Sequence, residues 1–199
     1  MPRQNRVTPT GEIIATPARG TLMGNRGLLH DDEGRIRRAY QVKRWIICLL
    51  AYKGRWRPVM SPGQYTELFF LDEATALAAG HRPCAQCQYT RFMEFKTLWA
   101  VAHSLDAEKV RVDDIDTQLH AERTTPHKPQ VNIETLPEGV FILWEEGPHL
   151  IQGDVLLPWQ PEGYGPSVAR PRDTNVTLLT PPSIVNVIRA GFRPIIHTG

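Results

Sequence analysis

Residues 69–87 of this 199-residue chain read FFLDEATALAAGHRPCAQC. The middle of this stretch predicts a short helix, because the two acids at its start suit the positive end of a helix dipole. Gly80 ends the pattern, since glycine readily adopts the left-handed conformation found just beyond a helix. Pro83 prevents continuation, and Cys84 and Cys87 follow as a C-x-x-C motif. We therefore expect a helix and a turn that presents two thiols side by side.

The chain has three cysteines, Cys48, Cys84 and Cys87, which cannot all pair with one another in disulfides. The N-terminus leads into polar, proline-containing sequence, which favours a cytoplasmic protein and a metal-binding or redox role for the thiols. Zinc is the first hypothesis, because thiolates are among its preferred ligands. Structural zinc is normally tetrahedral, so the third cysteine and one of the seven histidines would complete a Cys3His site.

The flanking patterns predict a sheet beside this helix. The continuous apolar run at 45–50 is typical of a strand buried on both faces, and 65–71 is a further strand candidate. Lys53-Gly54 is expected to form a hairpin turn in a segment rich in β-branched and aromatic residues. A second helix is expected at about 83–103, with an aromatic stripe that faces the core.

Composition divides the chain into regions. We expect a basic metal-binding region at 1–104, an acidic helix and linker at 105–128, and a Pro-rich, β-containing region at 129–199 packed on the first. A single domain over 1–199 is the alternative. The predicted class is α+β, with a small antiparallel sheet, a zinc-binding helix-turn-helix segment and a Pro-rich β-containing C-terminal part.

The net charge of +2 hides two halves of opposite sign. Residues 1–100 carry 15 Lys and Arg against 8 Asp and Glu, whereas residues 101–199 carry 8 against 13. Arginine outnumbers lysine 18 to 5, and arginine suits bidentate recognition of phosphate. The basic half therefore indicates a nucleic acid partner, or else a face that docks on the acidic half or on an acidic protein.

No apolar run is long enough to span a bilayer, so no membrane partner is expected.

The segment at about 65–87 resembles the second half of the zinc-binding domain of Ada-type alkylation-repair regulators. In that family a strand ending in aromatic residues leads to a short helix and then to Ala-Gly-aromatic-Arg-Pro-Cys-x-x-Cys. The resemblance implies a small α+β zinc module of a kind often associated with DNA, which favours DNA over RNA as the partner. It also implies that Cys84 and Cys87 are zinc ligands.

The first pair of zinc ligands of that family is missing from this chain. The pair lies in a Cys-x-x-x-Cys turn, and the equivalent stretch around 53–57 contains no cysteine. We expect Cys48 to replace one ligand and His30 the other. Because the acceptor cysteine of methyl-transfer repair belongs to the missing turn, we expect self-methylation to be absent.

Arginines of the first half are the candidate contacts to nucleic acid. Two glycines around Asn25-Arg26 permit a tight turn that could present N–H groups and a guanidinium to phosphate, or that is purely structural. Because side chains alternate along a strand, the predicted hairpins could place cations and exposed aromatic residues on one face, which suits contacts to phosphates and bases. Alternatively, the cations lie on a solvated face of the sheet and the aromatic residues belong to the core. The expected contacts are Arg26, Arg37, Arg38, Arg44, Arg55 and Arg57.

Other functions of the same cysteines stay open. Zinc nucleobase deaminases carry His-x-Glu or Cys-x-Glu before Pro-Cys-x-x-Cys, and only the second half of that pattern is present here, at 83–87. A thioredoxin-like redox pair is disfavoured by the helix and turn that precede it. The main alternatives are a metal-dependent hydrolase or nuclease acting on nucleic acid, with His30 and Arg26 near an open metal position, and an interaction module for an acidic partner.

Overall fold

The computed structural model describes residues 1–54 and 58–198, which form two sheets and four α-helices. The first sheet contains β1 (Gln4–Val7), β2 (Ile13–Ala15), β3 (Leu22–Asn25), β4 (Ile46–Cys48), β5 (Leu68–Phe70) and β6 (Arg82–Pro83). The second contains β7 (Gln130–Asn132), β8 (Phe141–Trp144), β9 (Gly147–Gln152), β10 (Val155–Gln160), β11 (Gly163–Tyr164), β12 (Val168–Ala169) and β13 (Asn175–Leu178). The helices are α1 (Glu73–Ala78), α2 (Tyr89–Ala102), α3 (Val112–Thr124) and α4 (Pro182–Arg189). The predicted α+β class is confirmed.

The first sheet has the strand order β2-β1-β5-β3-β4-β6. It is mixed, because β1 runs parallel to β5 and β4 runs parallel to β6, whereas the other pairs are antiparallel. The prediction of an antiparallel sheet was therefore wrong in part. The chain leaves the sheet through α1 and returns as β6 in the same direction as β4, a connection that strand patterns alone do not reveal.

Helix α1 forms where the sequence predicts it. The Asp72 side chain caps the helix by accepting a hydrogen bond from the Thr75 N–H at 2.8 Å, which satisfies one of the free donors of the first turn. Gly80 has φ +81°, as expected for the residue that ends a helix. A Cβ at Gly80 would lie 2.7 Å from Cδ of Arg123, so a larger residue would also displace the Arg123 side chain.

Helix α2 begins at Tyr89, later than predicted. The residues before it, Arg82 and Pro83, pair with β4 as strand β6 instead of opening the helix. Since a strand intervenes between α1 and α2, these helices do not form the predicted helix-turn-helix segment. The aromatic stripe is confirmed for Phe92, Phe95 and Trp99, which are buried.

Among the described residues, the segment predicted as a hairpin around Lys53-Gly54 contains one short strand, β4. Its Ile47 is fully buried, but Leu49 and Leu50 are 38% and 54% exposed, so the buried run stops sooner than the apolar pattern suggests. Lys53 and Gly54 do form a turn with positive φ. The rest of the predicted hairpin falls on 55–57, outside the described residues.

The second sheet has the order β11-β10-β9-β8-β13-β7, and β12 pairs with β10. All its pairings are antiparallel. Strands were expected in this Pro-rich part, and the structure has them, followed by helix α4. The main hydrophobic cluster draws residues from both sheets and all four helices, including Ile47, Leu77, Phe95, Ile115, Ile142 and Ile184. None of the helices in the described ranges has the length and apolarity needed to cross a bilayer.

Candidate metal centre and the adjoining basic pocket

Two neighbouring strands bring the three cysteines together. Cys48 ends β4, and Cys84 directly follows β6, which pairs with β4. The pairing continues past the strand, because the Cys84 N–H donates to the Ile47 carbonyl at 2.9 Å. The sulfur atoms of Cys48, Cys84 and Cys87 all lie within 4.8 Å of one another. This spacing lets three thiolates bind one metal ion, and all three cysteines are free.

The turn between Cys84 and α2 is held in place by hydrogen bonds. The Gln86 N–H points at the Cys84 sulfur at 3.4 Å, and the Gln88 N–H donates to the Cys84 carbonyl at 3.1 Å. The Gln88 side chain also donates to the Ile47 carbonyl at 2.8 Å, which joins the turn to β4. These bonds orient the thiols before any metal binds, and N–H donors to sulfur favour the thiolate form.

The three thiols share their protons unequally. A hydrogen bond from Cys48 lowers the pKa of Cys84 to about 5, with burial opposing this and N–H donors assisting it. The same bond, followed by burial, raises the pKa of Cys48 far above its usual value, and burial raises the pKa of Cys87. One thiolate is therefore favoured, and two more would repel it unless a cation neutralised them.

Among residues 1–54 and 58–198, no histidine, aspartate or glutamate joins the three sulfurs. The fourth ligand expected from the sequence, His30, lies apart from them. Nδ1 of His30 contacts the Thr66 hydroxyl at 2.6 Å, and Nε2 contacts the Ser61 carbonyl at 3.3 Å. Because both ring nitrogens are engaged there, the structure does not join His30 to the three sulfurs.

The structure describes four of the six predicted nucleic-acid contacts. Arg37, Arg38 and Arg44 are exposed on the segment between His30 and β4, although Arg37 forms an ion pair with Asp31 at 2.6 Å. Arg26 is buried instead, with 1% of its surface exposed. Arg55 and Arg57 lie outside the described residues. The exposed group is available to a phosphate backbone, whereas Arg26 is not on the surface.

Arg26 lies in the wall of a pocket of about 680 Å³ beside the exposed arginines. Its Nε donates to Nε2 of His81 at 3.2 Å, and its Nη1 donates to the Gly11 carbonyl at 3.0 Å. Its guanidinium also stacks on the indole ring of Trp45, 3.9 Å from the ring centroid. Burial, together with two nearby arginines, lowers the pKa of His81 well below its usual value, so His81 accepts this bond as a neutral ring.

A buried ion pair fixes the cysteine turn to α3. Arg82, two residues before Cys84, donates from Nε and Nη2 to the two carboxylate oxygens of Asp116, each at 2.8 Å. Both side chains are almost fully buried. A bidentate pair of this kind sets the direction as well as the distance between two elements.

Comparison with known proteins returned no match among family models, curated proteins or solved structures.

Sequence reasoning found the residues of this pocket only in part. Trp45 belongs to the run at 45–50 that was expected to be buried, and it is 5% exposed, which favours a core aromatic residue over an exposed, base-stacking one at this position. Arg123 was not considered, although its guanidinium lies 4.0 Å from the centroid of the same indole ring. No local pattern signals this contact, because Arg123 reaches the ring from the end of α3. The spacing of α3 places Arg123 on the same face as buried Ile115 and Leu119, but it does not show which ring Arg123 meets.

Proposed function

We propose that the protein binds a structural zinc ion through Cys48, Cys84 and Cys87 and binds nucleic acid through its Arg-rich N-terminal half. The observation that carries the proposal is the convergence of the three sulfurs within 4.8 Å. The metal would tie the end of β4 to the turn that precedes α2. That position agrees with a structural role, since it joins segments far apart in the sequence.

Zinc is the ion that this donor set favours. Soft thiolate ligands select zinc, copper(I) and iron–sulfur clusters over magnesium or calcium. Zinc coordinates thiolates tetrahedrally, with zinc–sulfur distances of about 2.3 Å that place sulfurs about 3.8 Å apart, within the spacing of this cluster. A dication also removes the repulsion that disfavours three thiolates in the free protein.

Metal removal is expected to lower the melting temperature by roughly 10 °C. Zinc at about a thousand times its Kd stabilises the fold by about 4 kcal/mol, and each kcal/mol corresponds to about 2–4 °C for a chain of this size. The measurement is thermal unfolding before and after treatment with a chelator, followed by restoration with zinc. An unchanged melting temperature, with metal loss verified by elemental analysis, would contradict a structural role.

The nucleic-acid part of the proposal rests on the exposed arginines. Arg38 and Arg44 are exposed and lie on one loop, and no acid is found bonded to Arg38 among the described residues. Arginines so placed can contact successive phosphates and release counterions. The resemblance to Ada-type zinc domains favours DNA over RNA as the partner.

Salt dependence tests this interface directly. Replacing Arg38 and Arg44 together by alanine is expected to weaken DNA binding and to reduce the slope of log affinity against log salt by about 2. Fluorescence anisotropy with labelled single- and double-stranded DNA and RNA gives both quantities. Arg172→Ala is the control, since Arg172 is exposed between β12 and β13 in the C-terminal region. Equal losses for both variants, or no binding by the native protein, would refute the interface.

A metal-dependent hydrolase is the second candidate, and one observation favours it. The cysteine cluster supplies three ligands, the number that catalytic zinc sites commonly use while leaving a position for water. Such an enzyme would degrade labelled DNA or RNA only when metal is bound, and a chelator would stop it. If the nucleic acid stays intact after incubation with the zinc-loaded protein, the hydrolase is ruled out and the zinc has a structural role.

A further inference from the structure

Two arginines of this protein are buried to the same extent but have different partners. Arg26 and Arg82 are each 1% exposed. Arg82 is neutralised by the bidentate carboxylate of Asp116. Arg26 has no carboxylate partner among the described residues, and its Nη2 has no hydrogen-bond partner at all among them. Since buried arginines are almost always paired, Arg26 lacks a counter-charge that a fold normally supplies.

A second cation beside Arg26 makes this lack more costly. Arg123 stacks on Trp45, as Arg26 does, and its Nε also has no partner within the described chain. Arg123 donates to the carbonyls of Gly80, at 2.8 Å, and Lys43, and its Nη2 also lies 3.4 Å from Nδ1 of His120. Burial and the charge of Arg123 lower the pKa of Arg26 to about 9, and burial lowers that of Arg123 to about 9. A bound anion would relieve both the desolvation and the repulsion.

These two arginines line the same pocket as further cations. The volume of about 680 Å³ is within the range of small-molecule sites, roughly 300–1,000 Å³, and accommodates a mononucleotide. Its charged lining consists of Arg26, Arg37, Arg38, Arg123, Lys128 and Glu12. Glu12 is exposed, and it is the one acid among the described lining residues. The exposed ring of Tyr40, 40% accessible, also lines the pocket and could contact a base or sugar.

We propose that this pocket binds a small phosphate-bearing ligand of mononucleotide size, with Arg26 and Arg123 holding the phosphate group. Arginine forms bidentate hydrogen bonds to phosphate oxygens, and one nitrogen of each side chain, Nη2 of Arg26 and Nε of Arg123, has no hydrogen-bond partner among the described residues. Burial strengthens these bonds because the local dielectric is low. The inference does not depend on the zinc ion or on nucleic-acid binding, because the two phosphate-holding residues, Arg26 and Arg123, belong neither to the cysteine cluster nor to the exposed pair Arg38 and Arg44.

The test is calorimetric titration of the full-length protein with inorganic phosphate, adenosine 5′-monophosphate and adenosine at low salt. We expect one phosphate-bearing molecule per chain and no binding of adenosine. Tighter binding of the nucleotide than of phosphate assigns a nucleotide site, and equal affinities assign a phosphate site. Absence of saturable binding by both phosphate compounds overturns the proposal, whether or not the protein binds DNA.

Variants locate the site within the pocket. Arg123→Gln, at a half-buried position, is expected to weaken binding at least about tenfold, because it removes charge-assisted hydrogen bonds. Arg26→Gln should weaken binding to a similar extent. Because this substitution removes an unpaired buried charge, the variant should remain folded, which circular dichroism measures. Arg172→Gln is the control and should bind normally. If Arg26→Gln does not fold, the test rests on Arg123→Gln. Unchanged affinity of the folded Arg123→Gln variant for the phosphate compounds overturns the proposal.

Discussion

Replacement of Cys84 by serine is expected to lower zinc affinity by at least about a hundredfold, since loss of a residue that merely supports a ligand already costs about 10–100-fold. Cys84 is the thiol most easily ionised in the cluster, as its pKa of about 5 indicates, and it accepts the hydrogen bond from Cys48. A serine hydroxyl does not ionise at neutral pH and is a poor zinc ligand. Competition with a chromophoric chelator measures the affinity.

The matched control for this variant is His30→Gln. His30 is buried like Cys84 and was the fourth ligand expected from the sequence, but the structure places it against Thr66 and Ser61. We expect unchanged zinc affinity in this variant. A large loss with His30→Gln and none with Cys84→Ser would show that the three sulfurs are not the metal site.

Replacement of Asp116 by asparagine is expected to lower the free energy of unfolding by about 3–5 kcal/mol, the usual cost of removing one partner of a buried ion pair. The variant leaves the Arg82 charge without a counter-ion in a site where both side chains are almost fully buried. Urea unfolding followed by circular dichroism measures the change. Because Arg82 precedes the cysteine turn, zinc affinity should fall as well.

Two further variants check the cause of this loss. Arg82→Met combined with Asp116→Leu removes both charges, so it should be much more stable than Asp116→Asn alone. Asp114→Asn breaks the exposed pair with Arg111 and should leave stability unchanged, because water screens that pair. A loss with Asp116→Asn no larger than with Asp114→Asn would contradict the role given to the buried pair.

Local features of this protein could be predicted from its sequence. Helix α1, its Asp72 cap and its end at Gly80 depend on interactions within a few residues, which the sequence displays directly. The proximity of Cys84 to Cys87 follows from their spacing. Cys48 was predicted to share their metal site because it is the one remaining cysteine, and the sheet does bring it to the cluster.

Features that depend on contacts distant in the sequence could not be predicted. Arg82 and Pro83 pair with β4 and so delay α2, although proline favours the first turn of a helix. The burial of Arg26 results from His81, Trp45 and the Gly11 turn meeting around it, and nothing in the glycine-flanked segment indicates this. His30 likewise meets Thr66 and Ser61, which are more than 30 residues away in the sequence, and not the cysteines.

The central claim is that the three cysteines hold one metal ion. It is tested most directly by elemental analysis of protein purified without chelators, combined with the absorption spectrum of the cobalt-substituted protein. We predict one zinc per chain, sulfur-to-cobalt charge-transfer bands, and loss of both in Cys84→Ser but not in His30→Gln. Protein that contains no zinc and takes up neither zinc nor cobalt with its thiols reduced would contradict the account.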